Sequence, residues 1–239
     1  MTQHRLVVLG SMDEFVELVK LARSQGIYTI VCDGYENGPA KAFADKAYNI
    51  DVRDIDGVAA MCREEQADGI IASFSDLLAE CLVKIAAKAG LKCYCTPEKI
   101  RYLREKPLMK EMFRQLQIPT PTSIRLNADF ADSELEAVGL PCVIKPANGY
   151  GSRGIYVVNS ADEIRAHFAN TASFSSFDYI LAETYNQGHE FNMMTWMVDG
   201  ELQLLSIADR EKSHEIGGDI PHISRLGSPS RFLAVGREQ

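Results

Sequence analysis

No stretch of the 239 residues is apolar for long enough to cross a bilayer. After Met1-Thr2-Gln3-His4 the chain also enters a strand-like run directly, with no signal-peptide pattern. The expectation is therefore a cytoplasmic protein with no membrane partner. A basic surplus is missing too, since 25 Lys and Arg stand against 33 Asp and Glu, a formal net charge of −8. A polyanion needs a basic face, so a nucleic-acid partner is not expected, although a local positive site for a small anion remains allowed. Tryptophan is nearly absent, with one residue in the chain. The five histidines have no catalytic partners at useful spacing, which leaves no Ser-His-Asp or Cys-His arrangement to defend. The six cysteines, at 32, 62, 81, 93, 95 and 142, sit among apolar neighbours, and the single C-x-C lacks a paired histidine motif. They read as free buried thiols rather than zinc ligands.

What remains is an ordinary globular composition, 46% hydrophobic and 24% charged, with enough chain for one or two domains. Over residues 1–95 short apolar runs alternate with helical periodicity. Strands are expected at 6–9, 28–32, 47–50 and 69–72, with a final edge strand at 93–95. Helices are expected after the first strand, at 40–45, at 55–65 and from Leu78 to the glycine at 90. Such alternation predicts an α/β layer, a parallel sheet covered by helices on both faces. Dinucleotide binding is the obvious competitor, because Gly10 follows the first strand and Asp33 ends the second. Yet Gly10-Ser11-Met12-Asp13-Glu14-Phe15 lacks the second and third glycines of that fingerprint and places an acidic pair where pyrophosphate would lie.

Pro97 opens a short helix and Lys106 a second, which the Ile118-Pro119-Thr120-Pro121 break terminates. Beyond it hairpins and helices suggest an α+β arrangement, with strands expected at 179–184, 191–198 and 202–208. Asp199-Gly200 is a strong turn signal between the last two. The most telling stretch is Cys142-Val143-Ile144-Lys145-Pro146, followed by Asn148-Gly149-Tyr150-Gly151-Ser152-Arg153-Gly154 and then a second apolar run. Glycines let backbone N–H groups approach phosphate oxygens, and Lys145 adds a full charge beside them. A lysine that ends an apolar strand incurs desolvation that a purely structural role would not require. This is phosphate-binding chemistry, but not of the Walker type, because the lysine precedes the glycines and the loop feeds a strand.

Taken in order, Glu105-Lys106, the Ile-Pro-Thr-Pro break, the 139–146 segment, the glycine loop, Ile180-Leu181-Ala182-Glu183-Thr184-Tyr185 and Gly188-His189-Glu190-Phe191 resemble the ATP-grasp superfamily of carboxylate–amine ligases and carbamoyl phosphate synthetase-like enzymes. The resemblance implies a Rossmann-like domain over 1–95 and an ATP-grasp domain over 96–239, with a lid subdomain at about 120–184 and the start of a C-terminal subdomain at 185–239. It implies that Lys106 and Lys145 contact phosphates, that Asn148, Gly149, Gly151, Ser152 and Gly154 form the closing loop, that Glu183 accepts the adenine amino group, that backbone groups of Thr184 and Tyr185 complete the ring contacts, and that Glu190 holds the ribose hydroxyls. Solvated helix-start and strand-end charges are the plainer readings of Lys106, Glu183 and Glu190 taken alone.

Glu190-Phe191-Asn192 also matches the family's Glu-x-Asn metal pair, but its position seven residues after Glu183 fits the ribose role better. With no later Glu-x-Asn before Pro229-Ser230-Arg231-Phe232, the expectation is an ATP-grasp domain incomplete at its C-terminus, with ATP as cofactor and the Mg2+ ligands outside the chain. Small carboxylate and amine substrates are implied, with a homodimer or a partner chain left open as the means of completing the site. A nucleotide-binding module without its own chemistry is the alternative. Ser73-Phe74-Ser75-Asp76, Arg153 and Asp209-Arg210-Glu211-Lys212 are weaker candidates, each equally readable as a cap or a solvated charge.

Overall fold

The computed structural model describes residues 3–149, 151–213, 222–227 and 230. The chain divides into two compact units, Met1–Leu116 and Gln117–Gln239. In the first, β1 (Arg5–Leu9), α1 (Val16–Ser24), β2 (Tyr28–Cys32), β3 (Lys46–Tyr48), α2 (Ile55–Glu64), β4 (Gly69–Ile71) and α3 (Asp76–Ala89) alternate as the periodicity predicts. The four strands form one parallel sheet in the order β3-β2-β1-β4. Strand parity then sorts the core. Val7, Leu9, Ile30 and Cys32 face Val58, Met61, Leu82 and Ile85 of α2 and α3, while Val8 and Val31 pack with Phe15, Val19 and Ala40 on the opposite side. Burial on both faces explains why β1 and β2 read as nearly continuous apolar runs rather than alternating ones.

Local chemistry sets the helix ends. The Ser75 side chain accepts from the Leu78 N–H to start α3, and Gly90 ends it at φ 76°, a left-handed conformation that suits glycine. Residues 40–45, expected as a short helix, form a 3₁₀ turn over Pro39–Phe43. Cys93 to Cys95 is a correction: no strand forms there. Cys93 and Cys95 are instead partly buried against the first core, so their alternation records burial without a ladder partner.

Two further helices, α4 (Pro97–Arg104) and α5 (Lys106–Gln115), complete the first unit. Ile100 of α4 is buried in the α2–α3 core, which ties this segment to the first unit. The compact division falls after Leu116.

The second unit contains β5 (Ser123–Leu126), β6 (Cys142–Pro146), β7 (Tyr156–Val158), α6 (Ala161–Ser173) and β8 (Ile180–Thr184). Its first sheet runs β5-β8-β6-β7 and is antiparallel throughout. Leu126, Ile144, Val158, Ile180 and Ala182 share one face and pack against Ile164 of α6 and Leu135 of the 3₁₀ helix Asp132–Ala137. The register assigns Ser123, Arg125, Val143, Lys145, Val157, Leu181 and Glu183 to the other face. A second sheet, ordered β11-β10-β9, follows from β9 (Phe191–Val198), β10 (Glu201–Ser213) and β11 (His222–Gly227). Asp199 and Gly200 turn β9 into β10 at φ 51° and 84°, the pair of positive angles that a two-residue hairpin favours. All eight residues of β9 are exposed.

Candidate functional site

Lys145 and Glu183 are brought together by the β6–β8 ladder. Lys145 pairs with Leu181 and Val143 with Glu183, so the two charged residues are diagonal neighbours on the face away from the core. Lys145 Nζ donates to Glu183 Oε2 at 2.6 Å, with the lysine side chain 18% exposed and the carboxylate 6%. The desolvation that the strand-end lysine incurs is thus offset by a carboxylate on the next strand. Both residues are candidates from sequence, but nothing in their separation of 38 positions indicated that they touch.

The glycine loop is the β6–β7 connection. Gly151 and Gly154 have φ of 71° and 66°, and Ser152 joins them at 54°. A Cβ on Gly154 would lie 2.5 Å from the Phe174 ring, so this position needs glycine for space as well as for conformation. The Arg153 guanidinium lies 5.3 Å from the centre of the same ring. Gly149 packs near the Phe174 carbonyl and the Pro146 ring. Tyr150 lies outside the described residues. Asn148, expected in the loop's ligand set, anchors the base of the loop: its Oδ1 accepts from Ser176 N at 2.9 Å and Ser175 Oγ at 2.8 Å, and its Nδ2 donates to Ser176 Oγ at 2.7 Å. Sequence reasoning missed Phe174, Ser175 and Ser176, and only the polar cluster after α6 could have drawn attention to them.

At the end of β8, the Thr184 N–H donates to the Thr122 carbonyl at 3.0 Å, so that donor serves the sheet rather than a ligand. Thr184, Tyr185, Asn186 and Gln187 line a cleft of about 560 Å3 together with Pro119, Thr120 and Pro121. A volume of that order accommodates a small-molecule ligand. The proline segment, read from sequence only as a helix break, forms one of its walls. Glu190 is placed at the mouth of β9. Its carbonyl accepts from Arg210 N at 3.0 Å, and its Oε2 is 3.8 Å from Arg210 Nη1. Arg210 thereby leaves the solvated charge run as a paired residue; the side chains of Glu211 and Lys212 lie outside the description. Lys106 is the first residue of α5, half-buried, in the first unit. Among the described residues no group of three or more His, Cys, Asp or Glu is placed to hold a metal ion, and no helix is long and apolar enough to cross a membrane.

Several known proteins are similar to this chain. Residues 138–217, which contain the Lys145–Glu183 pair and the glycine loop, match the ATP-grasp domain family. The chain is 31% identical over 166 residues to a formate-dependent phosphoribosylglycinamide formyltransferase of Methanocaldococcus jannaschii, covering 67% of this chain and 41% of that protein. Among solved structures, an N5-carboxyaminoimidazole synthetase from Staphylococcus aureus complexed with ADP aligns with a TM-score of 0.73 at 15% identity, covering 99% of this chain and 62% of that one. An L-amino acid ligase from Bacillus licheniformis aligns at 0.72 and 18% identity, over 100% and 59% of the two chains. The chain thus spans about two fifths of the curated relative's length.

Proposed function

We infer that this chain, an ATP-grasp protein by its match over residues 138–217, is the ATP-binding portion of a carboxylate–amine ligase. The observation that carries the reading is the Lys145–Glu183 pair. Adenine presents an amino donor at N6 beside an acceptor at N7, whereas guanine presents acceptors at both O6 and N7. A carboxylate and an ammonium side by side complement the first pattern and oppose the second. Glu183 accepts from the adenine amino group, and Lys145 lies close enough to it to meet the ring nitrogen or the first phosphate. The cleft beside Tyr185 receives the ring, and Glu190 holds the ribose hydroxyls, where two adjacent donors suit a carboxylate acceptor.

Ligation then proceeds by moving the γ-phosphoryl group of ATP onto a substrate carboxylate, after which an amine displaces phosphate from the acylphosphate. The loop of Gly149, Gly151, Ser152 and Gly154 closes over the phosphates and excludes water, since hydrolysis would waste the activated acid. Asn148 holds the base of that loop while its tip moves. Magnesium, when bound, neutralises charge developing on the phosphates. The described residues supply no cluster of three or more His, Cys, Asp or Glu to hold it.

Equilibrium binding of ATP and GTP to the intact chain tests the reading. ATP should bind roughly tenfold or more tightly, the scale of one charge-assisted hydrogen bond. Equal affinity for the two nucleotides, or ATP binding unchanged by Lys145→Ala, would sink it. The same residues would also serve a nucleotide-binding module without chemistry of its own. Phosphate release from ATP that Lys145→Ala abolishes separates the ligase from the module.

A further inference from the structure

The first unit holds a cleft of about 420 Å3 that the nucleotide reading does not use. Its walls come from Asp33 and Tyr35 just after β2, from Asp51, Val52 and Arg53 after β3, and from Leu77 in the first turn of α3. All three segments lie at the C-terminal edge of the parallel sheet. Open α/β sheets bind ligands at that edge, because the loops leaving the strand ends shape a crevice there.

Three kinds of chemistry meet in this cleft. Arg53 is clamped by Asp51, with Nε 2.9 Å from Oδ1 and Nη2 2.5 Å from Oδ2, while its side chain stays 72% exposed. That guanidinium keeps the Asp51 carboxyl down at about 2, so it is ionised at neutral pH. Asp33 is a buried carboxylate held in place by Ser11 Oγ at 2.9 Å and the Tyr35 N–H at 3.2 Å. Its backbone is fixed as well, because Lys41 Nζ donates to the Asp33 carbonyl at 2.9 Å. Val52, Leu77 and the exposed Tyr35 ring supply apolar wall. The lining therefore offers one cation, two anions and an apolar surface within a space suited to a small molecule.

We propose that this cleft binds a free α-amino acid with an apolar side chain, its carboxylate against Arg53, its ammonium against Asp51 and Asp33, and its side chain on Val52, Leu77 and Tyr35. A phosphate-bearing ligand would meet two carboxylates for each guanidinium, and a simple amine would leave Arg53 unused. The zwitterion is the class that engages both signs. As the supply of a ligase substrate the proposal rests on the ligase reading, but binding to this cleft does not require nucleotide.

Calorimetric titration of the intact chain without nucleotide tests it, using leucine, phenylalanine, leucinamide and 4-methylpentanoate. Leucine and phenylalanine should bind. Leucinamide, which lacks the carboxylate, and 4-methylpentanoate, which lacks the amine, should each bind roughly tenfold or more weakly. Arg53→Gln and Asp51→Asn should each weaken leucine by a similar factor and leave ATP affinity unchanged. The proposal is overturned if neither amino acid binds at millimolar concentration, if the analogues bind as well as leucine, or if neither substitution matters. The two readings separate cleanly: leucine binding without ATP binding removes the nucleotide assignment and keeps the cleft, and the reverse outcome removes the cleft alone.

Discussion

Lys145 on β6 and Glu183 on β8 are offset by two residues in an antiparallel ladder, and their side chains meet across it at 2.6 Å. The ammonium is therefore already paired with a carboxylate. A phosphate or purine competes with a carboxylate for it rather than finding a bare charge.

Removing either member should cost both affinity and stability. Lys145→Ala removes the ammonium from a carboxylate that is 6% exposed, and breaking such a pair destabilises by about 3 kcal/mol. The double variant Lys145→Met/Glu183→Leu should unfold at higher denaturant than Lys145→Ala alone, because no buried charge remains. Chemical denaturation of the parent, Lys145→Met, Glu183→Leu and the double variant completes the cycle and measures this coupling, and purely additive effects would contradict it.

The glycine loop should tolerate alanine unequally. Gly151→Ala meets open space and carries only the left-handed conformational strain, about 1 kcal/mol. Gly154→Ala carries the same strain and also drives a methyl into the Phe174 ring, so its loss should reach about 2–3 kcal/mol. Thermal unfolding of the two variants side by side gives the ranking.

Glu65 links the β1 and β3 ends of the first sheet. It accepts from Arg5 Nη2 at 2.5 Å, from the Tyr48 hydroxyl at 2.5 Å and from Lys46 Nζ. The Lys46 and Tyr48 hydrogen bonds, with Arg5 behind them, pull its carboxyl from 4.5 to about 2. A carboxylate depressed on folding stabilises above its unfolded value, and the contribution fades as pH falls from about 4.5 through about 2. Glu65→Gln should therefore lower the melting temperature at pH 7, and the gap from the parent should shrink as the pH is taken toward 2. A gap independent of pH would show that Glu65 contributes only packing.

Thiol labelling should follow burial. Burial pushes the Cys32 thiol up to about 12 and Cys62 to about 11, so neither supplies thiolate at pH 8. Cys93 and Cys95 are partly exposed. Mass spectrometry after brief alkylation should find label on those two first, and early label on Cys32 would show that the first core opens readily.

Much of the fold was legible because local rules agree with the tertiary ones. The apolar runs at β1 and β2 are buried on both faces, as a parallel sheet demands, and Ser75 and Gly90 bracket α3 where the periodicity starts and stops. Cys93 to Cys95 misled because a residue can alternate in burial without any strand beside it. The site was legible where the chain carries its own chemistry, as at Lys145 and Gly154. It was illegible where chemistry depends on register, as in the meeting of Lys145 with Glu183 and of Asn148 with Ser175. Those contacts are decided by which strand lies beside which, and periodicity within one segment holds no record of that.

β9 carries the chain's sole tryptophan, and Trp196 stands 63% exposed on a strand whose every residue faces solvent. Its indole emission is consequently a private optical channel for that strand alone. Red-shifted, readily quenched fluorescence would report bare β9, and a blue shift upon adding any other polypeptide would announce that the strand had been covered, with no label needed.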